Sequence, residues 1–282
     1  VLLHPILGHE LGHAALTVPD IRKYLDVNVV QPLFTRSQIS DTTTLRDWLK
    51  KQFNIEINEK TAGVVLKNWK EEFLCDIFGL VLMGPSFLAA HQSLLSALDP
   101  SGKNLGQTHP PNLCRFSILE TVSNSMNWHI PPKGIDATTN DAFGAFWQAL
   151  KPTHGSYPTW ASVFDQGQIQ QAKDALTHLF NKGKKVAFQP PSVIELTEPF
   201  QAICSLIPPL CQSVDEKGKC SLKSLDFRVI LYVGWLAWHS KCLEKEKNGS
   251  KAKIAFIDVN RLCDRAILHQ EAIEMCLSEG ST

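Results

Sequence analysis

Residues 58–83 limit the fold of this 282-residue chain more than any other segment. Asn58 and Glu59 suit a helix start, and Ala62, Val65, Leu66, Trp69 and Phe73 follow on one side at helical spacing. From Phe73 to Met83 the predicted helix is apolar nearly all round, a pattern that belongs inside a protein. Two acids interrupt it. Glu72 and Asp76 are four residues apart and therefore share a face. A lone carboxylate in such surroundings is costly unless a metal ion or a hydrogen-bonding partner compensates. Glu71 points elsewhere and belongs in solvent. Glu72 could also be read as the solvent edge of the helix, whereas Asp76, deeper in the apolar run, requires a partner.

Such a partner is offered near the start of the chain. Within an apolar pattern at residues 6–16 stands His9-Glu10-Leu11-Gly12-His13, an H-E-x-x-H motif on a helix expected from about Pro5 to Leu16. Positions four apart on a helix aim their side chains at one point, so His9 and His13 supply two ligands for a zinc ion. Glu10 in this arrangement is not a ligand but a general base for a metal-activated water. A catalytic zinc takes three protein ligands and keeps a position open. Glu72 is the best candidate for the third, and Asp76 can accept the second ring N–H of a ligand histidine, which fixes its tautomer. His4 reads as a helix-start or packing histidine that could approach the site. Further on, Thr108-His109-Pro110-Pro111 places His109 at a rigid helix start, with Arg115 a turn or two inside that helix.

H-E-x-x-H followed by E-x-x-x-D on a later helix resembles the gluzincin zinc metallopeptidases. Residues 72–79, Glu-Phe-Leu-Cys-Asp-Ile-Phe-Gly, are similar to the corresponding thermolysin segment. The 58 residues between His13 and Glu72, and the later His-Pro followed by Arg, are more like the HtpX and CAAX-prenyl endopeptidases, whose membrane spans this chain lacks. The resemblance covers residues 4 to about 119. It implies a zinc ion (Zn2+) held by His9, His13 and Glu72, Glu10 as general base and proton shuttle, and Asp76 orienting a ligand histidine, most simply His9. His109 is the candidate donor to the developing oxyanion, with Arg115 as support or as partner of a site carboxylate. The activity implied is hydrolysis of a protein or peptide substrate by a zinc endopeptidase. The alternative is a regulatory or interaction module that keeps the zinc site without proteolysis; an intact Glu10 speaks against it. Gluzincins bind extended substrate along the edge strand of a small sheet ahead of the H-E-x-x-H helix. Only three residues precede His4, so either that sheet belongs to a segment upstream of Val1 or the substrate is held differently.

The remaining chain suggests a mainly α fold: a zincin-like helical core with at most a small β component over residues 1–150, and a helical C-terminal region of unknown role, able to bind a partner protein, over residues 151–282. Tyr24 to Phe34, rich in valine, reads as a short strand or loop. Helices are expected over about residues 42–53, 86–98, 112–119, 165–181, 225–243 and 258–278. Residues 127–160 read as a connector, residues 189–210 as a proline-interrupted apolar stretch, residues 215–219 as a charged turn and residues 244–253 as a solvated loop. Lys plus Arg and Asp plus Glu are both 28, so net charge gives no reason for nucleic-acid or membrane-surface binding. No C-x-x-C pair suggests a zinc ribbon. Six of eight cysteines follow residue 200, which leaves open either disulfides there or reduced, buried thiols. Asn248-Gly249-Ser250 fits a glycosylation sequon. The first residue, Val1, is what a processed or excised chain would show, no secretory signal is evident, and the expected compartment is the cytoplasm.

Overall fold

The computed structural model describes residues 1–151, 157–182, 186–214, 220–223, 225–240, 244–247, 250–253 and 255–279. Its helices are α1 (Leu7–Ala15), α2 (Pro19–Leu25), α3 (Gln31–Phe34), α4 (Thr42–Phe53), α5 (Glu59–Met83), α6 (Pro85–Leu98), α7 (Asn112–Ser125), α8 (Ala137–Ala149), α9 (Gln166–Asn181), α10 (Val193–Cys204), α11 (Phe227–His239) and α12 (Phe256–Glu279). The strands are β1 (Cys211–Val214), β2 (Cys220–Lys223), β3 (Glu244–Lys247) and β4 (Ser250–Lys253), paired as two antiparallel hairpins, β1 with β2 and β3 with β4. The protein is thus mainly α. No helix among the described residues is long and apolar enough to cross a membrane.

Two compact units form, and the division does not fall at one point near residue 150. The first unit is Pro5–Trp128 with Pro152–Phe188; the second is Val1–His4, His129–Lys151 and Gln189–Thr282.

In the first unit α1, α4, α6, α7 and α9 all pack on α5. The side chain of Asn58 accepts from the Thr61 amide and caps α5. Every residue from Glu72 to Val81 is buried, as the all-round apolar pattern requires. Burial of each of Phe73, Ile77, Leu80 and Val81 contributes roughly 1.5–3 kcal/mol. Glycines bring α1 onto the C-terminal half of α5. A Cβ added at Gly12 would stand 3.0 Å from both the Cα and the Sγ of Cys75, and one added at Gly79 would stand 2.9 Å from the backbone nitrogen of His9. The two backbones therefore meet at a separation that larger residues would forbid.

Residues 24–34 are helical, not strand or loop: α2 passes through a π turn over Asp26–Val30 into α3. Leu25, Val29 and Leu33 recur every four residues and are fully buried. That stripe packs toward α9, and the burial outweighs the strand preference of the valines.

The second unit is built on α11, whose residues from Val229 to Ala237 are all buried. Leu2 and Val1 are tied into it: Trp235 Nε1 donates to the Leu2 carbonyl at 3.0 Å, and the Leu2 amide donates to Asn260 Oδ1 at 2.8 Å. One helix, α8, lies where the sequence suggested a connector, and another, α10, lies in the proline-interrupted apolar stretch. Asp136 caps α8, and a reciprocal Ser192–Glu195 box caps α10. Pro199 inside α10 is buried and does not end the helix. Residues 244–253, expected as a loop, contain the β3–β4 hairpin. Cys204 is disulfide-bonded, whereas Cys75, Cys114 and Cys263 are buried free thiols. Cys242, the side chains of Cys211, Cys220 and Cys276, residues 215–219 and the Asn248-Gly249 part of the sequon lie outside the described residues.

Candidate metal centre

The first unit brings four segments to one point: α1 with His9 and His13, α5 with Glu72 and Asp76, the turn before α7 with His109, and α7 itself with Arg115. Nε2 of His9 lies 3.1 Å from Nε2 of His13 and 3.5 Å from Oε2 of Glu72, and Nε2 of His13 lies 3.4 Å from Oε1 of Glu72. Three ligands at about 2.0–2.1 Å from a tetrahedral zinc stand about 3.3–3.4 Å from one another. The two nitrogens and the Glu72 carboxylate, each nitrogen nearest a different oxygen, are thus close enough together to hold one ion. Oε2 of Glu72 is buried and has no hydrogen-bond partner among the described residues. Such an atom normally carries a desolvation cost of about 1–3 kcal/mol or more; a cation held by the three side chains would relieve it. The donor set of two imidazoles and one carboxylate suits zinc.

His9 is held from behind. Its Nδ1 donates to Asp76 Oδ1 at 2.9 Å, which turns Nε2 toward His13 and Glu72. Asp76, wholly buried, is gripped by the fork of Arg115: Nε donates to Oδ2 and Nη2 to Oδ1, both at 2.7 Å. Burial alone would raise the Asp76 carboxyl, but the Arg115 guanidinium and the neighbouring histidines hold it well below the usual carboxylate range. Arg115 Nη2 also comes within 3.4 Å of Glu72 Oε2. Burial likewise opposes a charge on His9, but Asp76 and Glu72 outweigh it and push its imidazole up to about 9.

On the outer side, His13 is partly exposed and Glu10 is exposed, with no hydrogen bond or ion pair to any described residue. His109 Nε2 stands 3.6 Å from Glu72 Oε2, its side chain 58% exposed, while its Nδ1 contacts Thr108 Oγ1 at 2.8 Å. The turn that carries it is fastened to α5: Trp69 Nε1 donates to the Gly106 carbonyl and Asn68 Nδ2 to the Gln107 carbonyl, each at 3.1 Å. His109 thus reaches the open side of the site, whereas Arg115 is buried against the two carboxylates. His4 is exposed in the 3-10 turn His4–Ile6.

One member was missed in the sequence. His91, on α6, is buried, and its Nε2 lies 3.0 Å from Asp76 Oδ1. Its signal was the one that exposed Asp76: a polar residue closing an apolar run, Phe87-Leu88-Ala89-Ala90, needs a partner. His9, Asp76 and His91 also form a second group close enough to hold a cation. There, however, both Asp76 oxygens already accept from Arg115, and Oδ1 accepts from His9 as well. The group formed by His9, His13 and Glu72 is the better metal site.

Comparisons with protein-family models, curated proteins and solved structures found no match for this chain.

Proposed function

We propose that this protein is a zinc-dependent endopeptidase, with His9, His13 and Glu72 as metal ligands. The observation that carries the reading is the convergence of two imidazole nitrogens 3.1 Å apart on one carboxylate, His13 at 3.4 Å from its Oε1 and His9 at 3.5 Å from its Oε2, the latter a buried oxygen with no hydrogen-bond partner among the described residues. A zinc ion bound there supplies Lewis-acid polarisation of a carbonyl and acidifies a water. Glu10 takes the proton of the attacking water and returns it to the leaving amine. Its exposed position next to His9 suits that exchange better than a structural role would. Asp76, clamped by Arg115, keeps His9 in the tautomer that presents Nε2. His109, at the open side, donates to the carbonyl oxygen as charge develops there. Leu7 and Leu11 flank Glu10 on α1 and are 57% and 51% exposed, an apolar surface suited to side chains of a polypeptide substrate. The disulfide at Cys204 favours an oxidising compartment over the cytoplasm expected from the sequence.

Metal analysis and a cleavage assay on the full chain test the proposal. Purified protein should hold near-stoichiometric zinc. His9→Ala and Glu72→Ala should lose it. Glu10→Gln should keep zinc and fold but abolish cleavage of an unfolded protein substrate. Undiminished cleavage by Glu10→Gln, or a wild-type protein that takes up no zinc at neutral pH, refutes it.

A further inference from the structure

His91 has a peculiar position. Its ring stacks on Phe87, with centroids 5.1 Å apart and planes 28° apart, and meets the edge of Phe116 at 6.1 Å. It is enclosed by apolar surface, yet neither ring nitrogen makes an aligned hydrogen bond to any described residue. Packing alone would be better served there by leucine or phenylalanine. What the imidazole adds is a polar nitrogen, Nε2, 3.0 Å from Asp76 Oδ1. That oxygen is the one that accepts from His9 Nδ1 and from Arg115 Nη2.

We propose that His91 is a positioning residue of the metal centre: its Nε2, 3.0 Å from Asp76 Oδ1, carries the ring proton, holds that carboxylate electrostatically, and through it fixes the ring of His9. This rests on the zinc-site reading above and adds to it a second residue, besides Arg115, that supports the orienting carboxylate. Arg115 holds the two oxygens in plane. His91, arriving from α6, limits rotation of the carboxylate away from His9. Its effect on metal binding is indirect and smaller than that of a ligand. Loss of a group that orients a metal ligand typically weakens the metal by 10–100-fold, and one step further out the expected loss is about tenfold or somewhat less.

The test compares His91→Met with His91→Gln, two side chains of similar shape of which only Gln offers an N–H near the Nε2 position. Zinc affinity is measured by chelator competition on the full chain, together with the thermal midpoint of the metal-free protein. His91→Met should bind zinc about tenfold more weakly, and His91→Gln should recover most of that loss at a similar thermal midpoint. A purely structural role would shift the midpoints and leave the two affinities equal, which would overturn the proposal. Should the variants fold poorly, the ring nitrogens of His91 in the wild type decide by NMR at neutral pH: an Nε2–H tautomer supports the proposal and an Nδ1–H tautomer refutes it. Wild type without zinc uptake would remove the metal site and this role together; zinc uptake with equal Met and Gln variants would remove only the role of His91.

Discussion

Replacing Gly12 by alanine tests whether the approach of α1 to α5 sets the ligand spacing. The new methyl would lie 3.0 Å from Cys75 Cα and 3.1 Å from Cys75 Cβ. Carbon atoms rest at about 3.5–4.0 Å, so α1 must retreat by about 0.6 Å. A backbone atom of a buried helix cannot step aside as a flexible side-chain tip can. His9 and His13 ride together on α1, so their 3.1 Å separation is preserved. Glu72 stays on α5, so its present spacings of 3.4 and 3.5 Å to the histidines open; the same retreat takes them to about 4 Å. Metal sites tolerate departures of only about 0.2 Å in bond length. Zinc affinity should fall at least about tenfold, close to 1.4 kcal/mol. The metal-free protein should lose about 0–2 kcal/mol of stability, since overpacking costs about 1–3 kcal/mol and alanine regains about 1 kcal/mol of helix propensity. Chelator competition reads the first quantity and urea denaturation the second. A Gly12→Ala protein that is about 1 kcal/mol more stable, as propensity alone would give, and binds zinc as wild type would refute the reasoning.

Arg115→Met should destabilise the protein by about 3–5 kcal/mol in urea denaturation, because it leaves the buried Asp76 charge without its clamp; adding Asp76→Asn should restore part of the loss, and a single variant of wild-type stability would contradict the pairing. The pH behaviour of the metal-free protein follows from His9, raised to about 9 from 6.5. The folded state binds that proton more tightly than the unfolded, so the contribution is complete below about pH 6.5 and is lost as pH rises through about 9. Zinc uptake at pH 7.5 should therefore expel a proton from His9, which calorimetry in buffers of different ionisation enthalpy should register; uptake without proton release would refute the raised His9 pKa or its place among the ligands. Titration of the denatured, unreduced chain should find fewer than its eight thiols, since Cys204 is disulfide-bonded, and a full eight would refute that bond.

The second helix of the site was legible because its anomaly is local. Two acids at helical spacing within an apolar run demand compensation whatever the fold, and α5 starts at Glu59 and ends at Met83, as its cap and the following Gly84-Pro85 indicate. The H-E-x-x-H pair was legible for the same reason: a four-residue spacing on one helix fixes which side chains converge. Residues 24–34 were not, since valine content describes a local preference and the burial of Leu25, Val29 and Leu33 is a property of the neighbours they meet. α10 was hidden by Pro199, which local rules treat as a breaker but a buried, capped helix accommodates.

By itself the sequence singled out the candidate site residues and which of them share a helix face. Only the tertiary structure decided that those faces meet. The pairing of His9 with Asp76 spans 67 residues and that of Arg115 with Asp76 spans 39. Neither separation is encoded in any local period. Gly8, Gly12 and Gly79 look like helix-weakening residues in the sequence, and only the packed helices reveal them as the gap through which the histidines reach the carboxylates. His91 entered the site for the same reason. A side chain's neighbours across a helix crossing depend on how close two backbones come, and that distance is set by the packing of the whole unit rather than by any one segment.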